Sequence, residues 1–462
     1  MKKNNIFKVV CCTILLAVIL TWIIPAYGGD ERVQIGLFDL FGYLSGLLST
    51  FGYIPLFILA VGGFYGVLYK TDGYRNLLDN IVRKYTGSEW IFLTIIMVLF
   101  GVITSVTGLS MGLLFLFPFV ITTILLMGYS KITALLVTVG SVCVGLIGTT
   151  YSIAEVGIIN ETLKLPASNE LIAKIVILVI GLIILIVNTL VYAKKHRIDS
   201  PRKGFLYPES SNSSAKSWPI VIVFDIVLLI MILSFISWLN VFEITLFDDI
   251  LNSINSYKIG DFPLFAKLLG YVGSFGNWQL TDLTTLILLA TGFVAFICRV
   301  KFDDMIDGFG AGAKKALRPA FVSTLVYFLV FVSFNHQYTL NIVKPVLDLT
   351  DTFNVVTTSV AAFVSHFFND YAGFYILGYV TPSSVLGYIT TTFTDTSIYG
   401  VIAVIWQSIY GFAMLFVPTS AILVAGLSYL NVSYFRWLKA IWKLLLQLLL
   451  VLLIIFLILV MI

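Results

Sequence analysis

The sequence predicts an all-α polytopic membrane protein of about ten to eleven spans, built as two inverted-topology repeats that each hold a re-entrant hairpin and a broken helix. Three observations carry this. The chain is 59% hydrophobic and 11% charged with a mean hydropathy of +1.01, against about 25% charged residues in a soluble domain. Two stretches, residues 90–130 and 396–435, contain no Asp, Glu, Lys, Arg or His, and each is about twice the ~20 residues one crossing needs. Charge also alternates between loops as membrane topology requires. The net charge of +4 comes with no basic face, so nucleic acid is not an expected partner.

In chain order, a first helix over 7–26 follows Lys2, Lys3 and Lys8 and is read as a retained span. Asp30 and Glu31 mark an external turn, a short amphipathic piece covers 38–48, and a second span covers 52–68. Arg75 and Arg83 with spaced Leu77, Leu78 and Ile81 suit a helix lying at the membrane interface. Within 90–130 the run Thr104-Ser105-Val106-Thr107-Gly108-Leu109-Ser110 interrupts the apolar pattern. Only about fourteen residues precede Thr104, short of a span, so a re-entrant hairpin with its tip near 104–112 is expected. The next span starts at Lys131 and breaks near 148–152, and a helix over 171–193 closes the first unit, 1–193.

Residues 194–217 form a basic, Ser-rich linker, cytoplasmic by the positive-inside rule. The N-terminal lysines and Arg436, Lys439 and Lys443 agree with that side, while the acidic segment 243–261 falls outside. The expected location is the cell (cytoplasmic) membrane, with the N-terminus cytoplasmic and the C-terminus external. The second repeat, 218–462, reads as a span at 218–238, an outer region to 279, a span at 283–298, an amphipathic interfacial helix over 303–315, and a span at 319–334. His336, between Asn335 and Gln337, reads as a helix end at the outer surface. A second hairpin over 353–393 follows, its tip near 366–374, then a span broken at 416–420 and a last helix over 444–462.

Gly108 lies ten residues before Pro118, as Ala372 lies ten before Pro382, and each hairpin leads to a span that breaks at hydroxyls. The additional crossing at 319–334 inverts the second unit relative to the first. Freed backbone groups at such breaks survive in hydrocarbon only where protein or a polar cavity satisfies them, so breaks and tips are the candidate site. Ser105, Thr107, Thr149, Thr150, Thr419 and Ser420 are candidate ligands for a sodium ion or a carboxylate, and Gly108 and Pro418 beside them belong to the same candidate substrate- or ion-binding set. Hydroxyls in membrane helices also bond to their own carbonyls. Asn369 and Asp370 lie in the second tip; an intramembrane acid implies a hydrated or paired site, unless the tip reaches the outer interface. His366, four residues before Asp370, would share its helix face and could relay a proton, or simply pack. No catalytic residue, no metal beyond sodium and no cofactor beyond sodium or proton coupling is expected. Cys11, Cys12, Cys143 and Cys298 lie in apolar runs without metal-ligand spacing. Residues 308–315 mimic a phosphate loop but lack its spacing, and read as a flexible interfacial helix.

Leu20-Thr21-Trp22-Ile23-Ile24-Pro25-Ala26 resembles the end of the first helix in the YfcC group of membrane carriers. Pro418-Thr419-Ser420, with Ala425-Gly426-Leu427 and Trp437-Leu438-Lys439, resembles that group's final segment; Val61 to Val67 and Asp307-Gly308 fit more loosely. The resemblance implies membership of the ion transporter superfamily: elevator carriers with two hairpins and two broken helices, often on a dimer scaffold, moving small carboxylates or amino acids by ion coupling or exchange. Three positions depart from the group: Met111-Gly112 stands where an acidic pair is usual, Thr149-Thr150-Tyr151 where Asn-Pro is usual, and an aromatic stretch around Asn369 where Ser and Gly are usual. The expected function is an ion-coupled symporter or exchanger of a small organic anion or amino acid, acting in the lipid bilayer on a small-molecule substrate, with a homodimer as the assembly. The alternatives are a polytopic enzyme such as a glycan polymerase, disfavoured because 243–279 contains no Arg or His, and a sodium/proton antiporter.

Overall fold

The computed structural model describes residues 5–26, 34–152, 157–198, 215–270, 272–350, 352–370, 384–393 and 395–461. Most of linker 194–217 and residues 371–374 of the second hairpin tip lie outside them. The regular structure of the described residues is helical apart from one two-stranded antiparallel ribbon, Lys258–Ile259 with Phe262–Pro263. The chain is an all-α, multi-pass membrane protein.

The first helix, α1 (Ile6–Ile23), is followed by α2 (Leu37–Phe51) and α3 (Tyr53–Leu68), which meet at a 63° bend. The amphipathic α4 (Asp72–Lys84) buries Tyr74, Leu77 and Leu78, as its spacing predicts. The stretch expected to form the first hairpin holds α5 (Glu89–Thr107), a 3-10 turn at Gly112–Phe115, and α6 (Phe117–Leu126). Its first arm is longer than expected: nineteen residues, enough to cross a membrane, because Thr104, Ser105 and Thr107 continue the helix instead of ending it. After it come α7 (Lys131–Leu135), one wide π turn (Leu136–Gly140) and α8 (Ser141–Ile147), which stops at the expected break. Then α9 (Ile158–Leu163) and α10 (Leu171–Lys195) close the first unit.

The second unit opens with α11 (Trp218–Phe235). Three short helices form the outer region with the ribbon: α12 (Trp238–Phe242), α13 (Leu246–Ser256) and α14 (Leu264–Leu269). The span α15 (Leu280–Ile297) follows. The interfacial helix and separate span expected over 303–334 are instead one helix, α16 (Phe302–Leu325), with Pro319 inside it, continued after a short turn by α17 (Phe328–His336). The first half of α16 makes a close crossing with α3. A Cβ on Gly66 would meet Gly308 O and come within 2.9 Å of Gly312 Cα, so these glycines let two backbones touch. The segment 308–315 therefore packs along one face, through Gly308 and Gly312, and is part of a continuous helix. His336 does end a helix, but it is 2% exposed and packs on Tyr338, so the surface position expected for it is corrected.

Next come α18 (Thr339–Leu347), the second hairpin arms α19 (Val355–Phe367) and α20 (Val385–Thr392), then α21 (Tyr399–Met414), α22 (Ala421–Leu430) and α23 (Tyr434–Met461). The last helix starts ten residues before the expected 444, carrying Arg436, Lys439 and Lys443 on its first turns. Among the described residues eight helices are long and apolar enough to cross a membrane, nine if the bent α2–α3 pair counts as one span. The shorter apolar helices, Phe117–Leu126, Lys131–Ile147, Val355–Phe367 and Ala421–Leu430, are the elements that the sequence assigns to the hairpins and broken helices.

The linker's start is fixed. Ile198 N donates to Gly128 O at 2.8 Å, and Arg197 Nη2 lies 2.7 Å from Glu89 Oε1, tying α10 to α5 and to the end of the first hairpin. Because Arg197 is half exposed, the pair stabilises by about 1 kcal/mol at most. Arg197→Ala is expected to lower thermal stability by no more than that; a larger drop in melting temperature would show that this tie does more than fasten helices.

Candidate functional site

The first hairpin's tip is formed by a left-handed glycine. Gly108 has φ 69° and its N–H donates to Thr104 O at 2.8 Å, a helix end that favours glycine. Thr107 Oγ1 donates to Ile103 O (2.6 Å) and accepts from Leu109 N (3.1 Å), so this hydroxyl fastens the turn. Ser105 faces the end of α8: its Oγ donates to Gly148 O (2.6 Å), and its carbonyl accepts from Thr150 N (2.8 Å) and Thr150 Oγ1 (3.1 Å). The backbone groups freed at the first break are thus satisfied by α5, as burial in an apolar medium demands. Thr149 Oγ1 is buried and has no hydrogen-bond partner among the described residues.

At the second break the three residues have separate tasks. Pro418 cannot donate a backbone hydrogen bond, and nearby carbonyls are taken by the last helix: Trp437 Nε1 donates to Leu415 O (2.9 Å) and Tyr434 Oη to Phe416 O (2.6 Å). Ser420 caps α22 by accepting from Leu423 N at 3.4 Å. Thr419 is left with a buried hydroxyl that has no partner among the described residues.

In the second tip, Asn369 takes the left-handed conformation (φ 54°) that ends α19, with Asp370 N donating back to Ser365 O at 3.0 Å. Asn369 Nδ2 donates to Val326 O at 3.1 Å, at the turn between α16 and α17. The Asp370 carboxylate accepts from Ser365 Oγ (3.2 Å) and from Val385 N (3.4 Å) at the start of α20, where a helix's positive end suits an anion. His366 Nε2 donates to Trp406 O at 3.0 Å, and its ring packs edge-on against Trp406 and Tyr410. His366 and Asp370 therefore point to different partners: the left-handed turn at Asn369 takes Asp370 off the helix before a shared face is reached.

These elements meet around one small cavity of about 60 Å³. Ser110 and Met111 come from the first tip, Leu146 from the end of α8, His366 and Asn369 from the second tip, Thr419 from the second break, with Tyr410 and Met414 on α21 and Tyr327 at the α16–α17 turn. Of the candidates, His366, Asn369 and Thr419 line it. Ser105, Thr107, Gly108, Thr149, Thr150, Asp370, Pro418 and Ser420 build the backbone around it. No Asp, Glu, Lys or Arg lines it among the described residues. Tyr327, at a turn, and Tyr410 and Met414, on an otherwise apolar helix, carry no sequence signal of a site. Ser110 and Met111 belong to the tip run and were legible through it.

Over 170 residues, 36% of this chain and 33% of the relative, the chain is 26% identical to the Escherichia coli (strain K12) protein named "Putative basic amino acid antiporter YfcC". The match spans about a third of that relative's length. The crystal structure of the Alcanivorax borkumensis YdaH transporter, described as having an unusual topology, superposes with a TM-score of 0.42 at 14% identity, covering 98% of this chain and 97% of that one. The profile of the DcuC family, described as C4-dicarboxylate anaerobic carrier, matches residues 31–462. The likeness to YfcC-type carriers expected from the sequence is borne out. Matched over nearly its whole length, this membrane carrier belongs to the DcuC family.

Proposed function

We propose that the chain is an ion-coupled secondary carrier or exchanger for a small organic anion, with a small carboxylate as the substrate class and a sodium ion or proton as the coupling ion. The observation that supports this most is the cavity: residues from both tips, the end of α8 and the second break converge on one small space, an arrangement that suits alternating access around a fixed site. Its lining of hydroxyls and an amide offers hydrogen-bond donors to carboxylate oxygens. The family's description as a C4-dicarboxylate carrier agrees with that class. A basic amino acid, named for the YfcC relative, fits less well, since no carboxylate lines the cavity among the described residues. We assign the protein to the cytoplasmic membrane with its N-terminus inside and its C-terminus outside, as a homodimer.

Purified protein in liposomes, loaded with unlabelled substrate and given labelled carboxylates or amino acids under sodium or proton gradients, tests this directly. Saturable counterflow of a four-carbon dicarboxylate is expected. Flux that never saturates, or counterflow confined to amino acids, would overturn the reading.

A further inference from the structure

Two further buried polar groups lie beyond the end of α8, outside the cavity described above, on the helices that flank it. On one side a Cβ on Gly148 would come within 2.5 Å of Leu178 Cα on α10. One helical turn before Leu178, on the same face, is Lys174. On the other side a Cβ on Gly411 of α21 would come within 2.7 Å of Ile147 Cα. One turn before Gly411 is Gln407. The N-terminal ends of the same two helices also meet, Asn169 Nδ2 donating to Gly400 O at 3.4 Å. Lys174 and Gln407 are thus held between these contacts, where α8 has stopped and the segment with Thr149 continues.

All three side chains are buried, Lys174 and Gln407 at 2% exposed and Thr149 at 1%. None of their polar atoms has a hydrogen-bond partner among the described residues: not Lys174 Nζ, neither Gln407 Oε1 nor Nε2, and not Thr149 Oγ1. No acidic group lies within ion-pair distance of Lys174 among those residues. Glu170, one turn earlier at the start of α10, acts on Lys174 only through space and makes no ion pair with it among the described residues; a buried ammonium without a paired carboxylate is unfavourable, and an amide and a hydroxyl without hydrogen bonds add to it. Such a set is stable when something completes it. Its donors are one ammonium, one amide NH₂ and one hydroxyl, which match the acceptor-only oxygens of a carboxylate.

We propose that Lys174, Gln407 and Thr149 form an anion subsite that takes a carboxylate of the transported substrate. This rests on the carrier reading above and deepens it: Lys174 supplies the positive charge that the neutral cavity lacks. Lys174 acts by charge, and Gln407 and Thr149 orient the carboxylate.

Thermal unfolding of the purified full-length protein, followed by tryptophan fluorescence, tests the subsite without transport. Succinate is expected to raise the melting temperature, and its diamide and chloride are not. Lys174→Met should abolish the succinate shift while leaving the ligand-free protein as stable or more stable, because an uncompensated charge is gone. Gln407→Leu, which keeps the ammonium, should weaken the response. In counterflow both variants should raise the KM for succinate, Lys174→Met by about tenfold to a hundredfold. A wild-type succinate shift in both variants overturns the proposal. A Lys174-dependent shift given equally by chloride assigns the site to a halide and overturns the carboxylate. A Lys174-dependent succinate shift without any carboxylate counterflow would instead leave the subsite standing and remove the transport reading.

Discussion

Gly312→Leu is expected to abolish recovery of folded protein, while Gly310→Ala, two residues away in the same helix, is expected to be neutral or slightly stabilising. At Gly312 a Cβ alone would collide with the Gly62 carbonyl and lie 2.8 Å from Gly66 Cα. Overpacking by a methylene costs about 1–3 kcal/mol where side chains can yield. Here the obstacle is backbone on the opposite helix, and leucine adds three further carbons. Relief requires separating α3 from α16, which removes the close packing of these two helices. With total stability of only about 5–15 kcal/mol in ordinary domains, that loss is decisive. At Gly310 nothing lies within 4 Å of the added carbon, and alanine gains up to about 1 kcal/mol over glycine in a helix. Size-exclusion profiles and melting curves in detergent check both; a monodisperse Gly312→Leu protein melting like wild type would disprove the close crossing.

Thr419→Val is expected to lower counterflow by about tenfold to a hundredfold, equivalent to about 1.4–3 kcal/mol of lost interaction with the substrate, without lowering stability. The hydroxyl lines the cavity and has no partner among the described residues, so replacing it with a methyl of the same shape removes a buried unsatisfied group from the unliganded protein. Ser420→Ala, one residue later, is expected to do the reverse. It loses the cap on α22, about 1 kcal/mol, and transport per folded molecule stays near wild type. If both variants lose transport equally, or Thr419→Val retains it, the division of labour at this break is wrong.

The long uncharged runs, the basic linker and the punctuating prolines and hydroxyls were enough to place most helices, because the bilayer imposes length and polarity on every segment. What the sequence could not convey was which glycines face a neighbour. Gly308 and Gly312 look like flexibility when read alone, and only the presence of Gly62 and Gly66 opposite makes them a contact. The site divides in the same way. Pro418-Thr419-Ser420 was legible as a break, yet the carbonyls just before it are satisfied by Trp437 and Tyr434, which reach back from the last helix. Tyr327 and Tyr410 line the cavity through tertiary placement alone. Asp370 and His366 show the limit of spacing arguments: four residues apart means one face only while the helix lasts, and here Asn369 ends it.

The wide turn at Leu136–Gly140 bears on how this chain should be aligned with others. An α-helix turns about 100° per residue, and a π turn houses one residue more than the α geometry would in the same length. The azimuth at which Gly148, Thr149 and Thr150 emerge from the end of α8 is therefore set by a surplus residue more than a dozen Å upstream. A relative with an unbroken α-helix here would present the equivalent of Thr149 one residue earlier or later. Matching letters column by column across 131–150 then pairs residues that do not occupy the same place. Homologous first breaks are to be found by counting back from the Ser105 contact, not forward from Lys131.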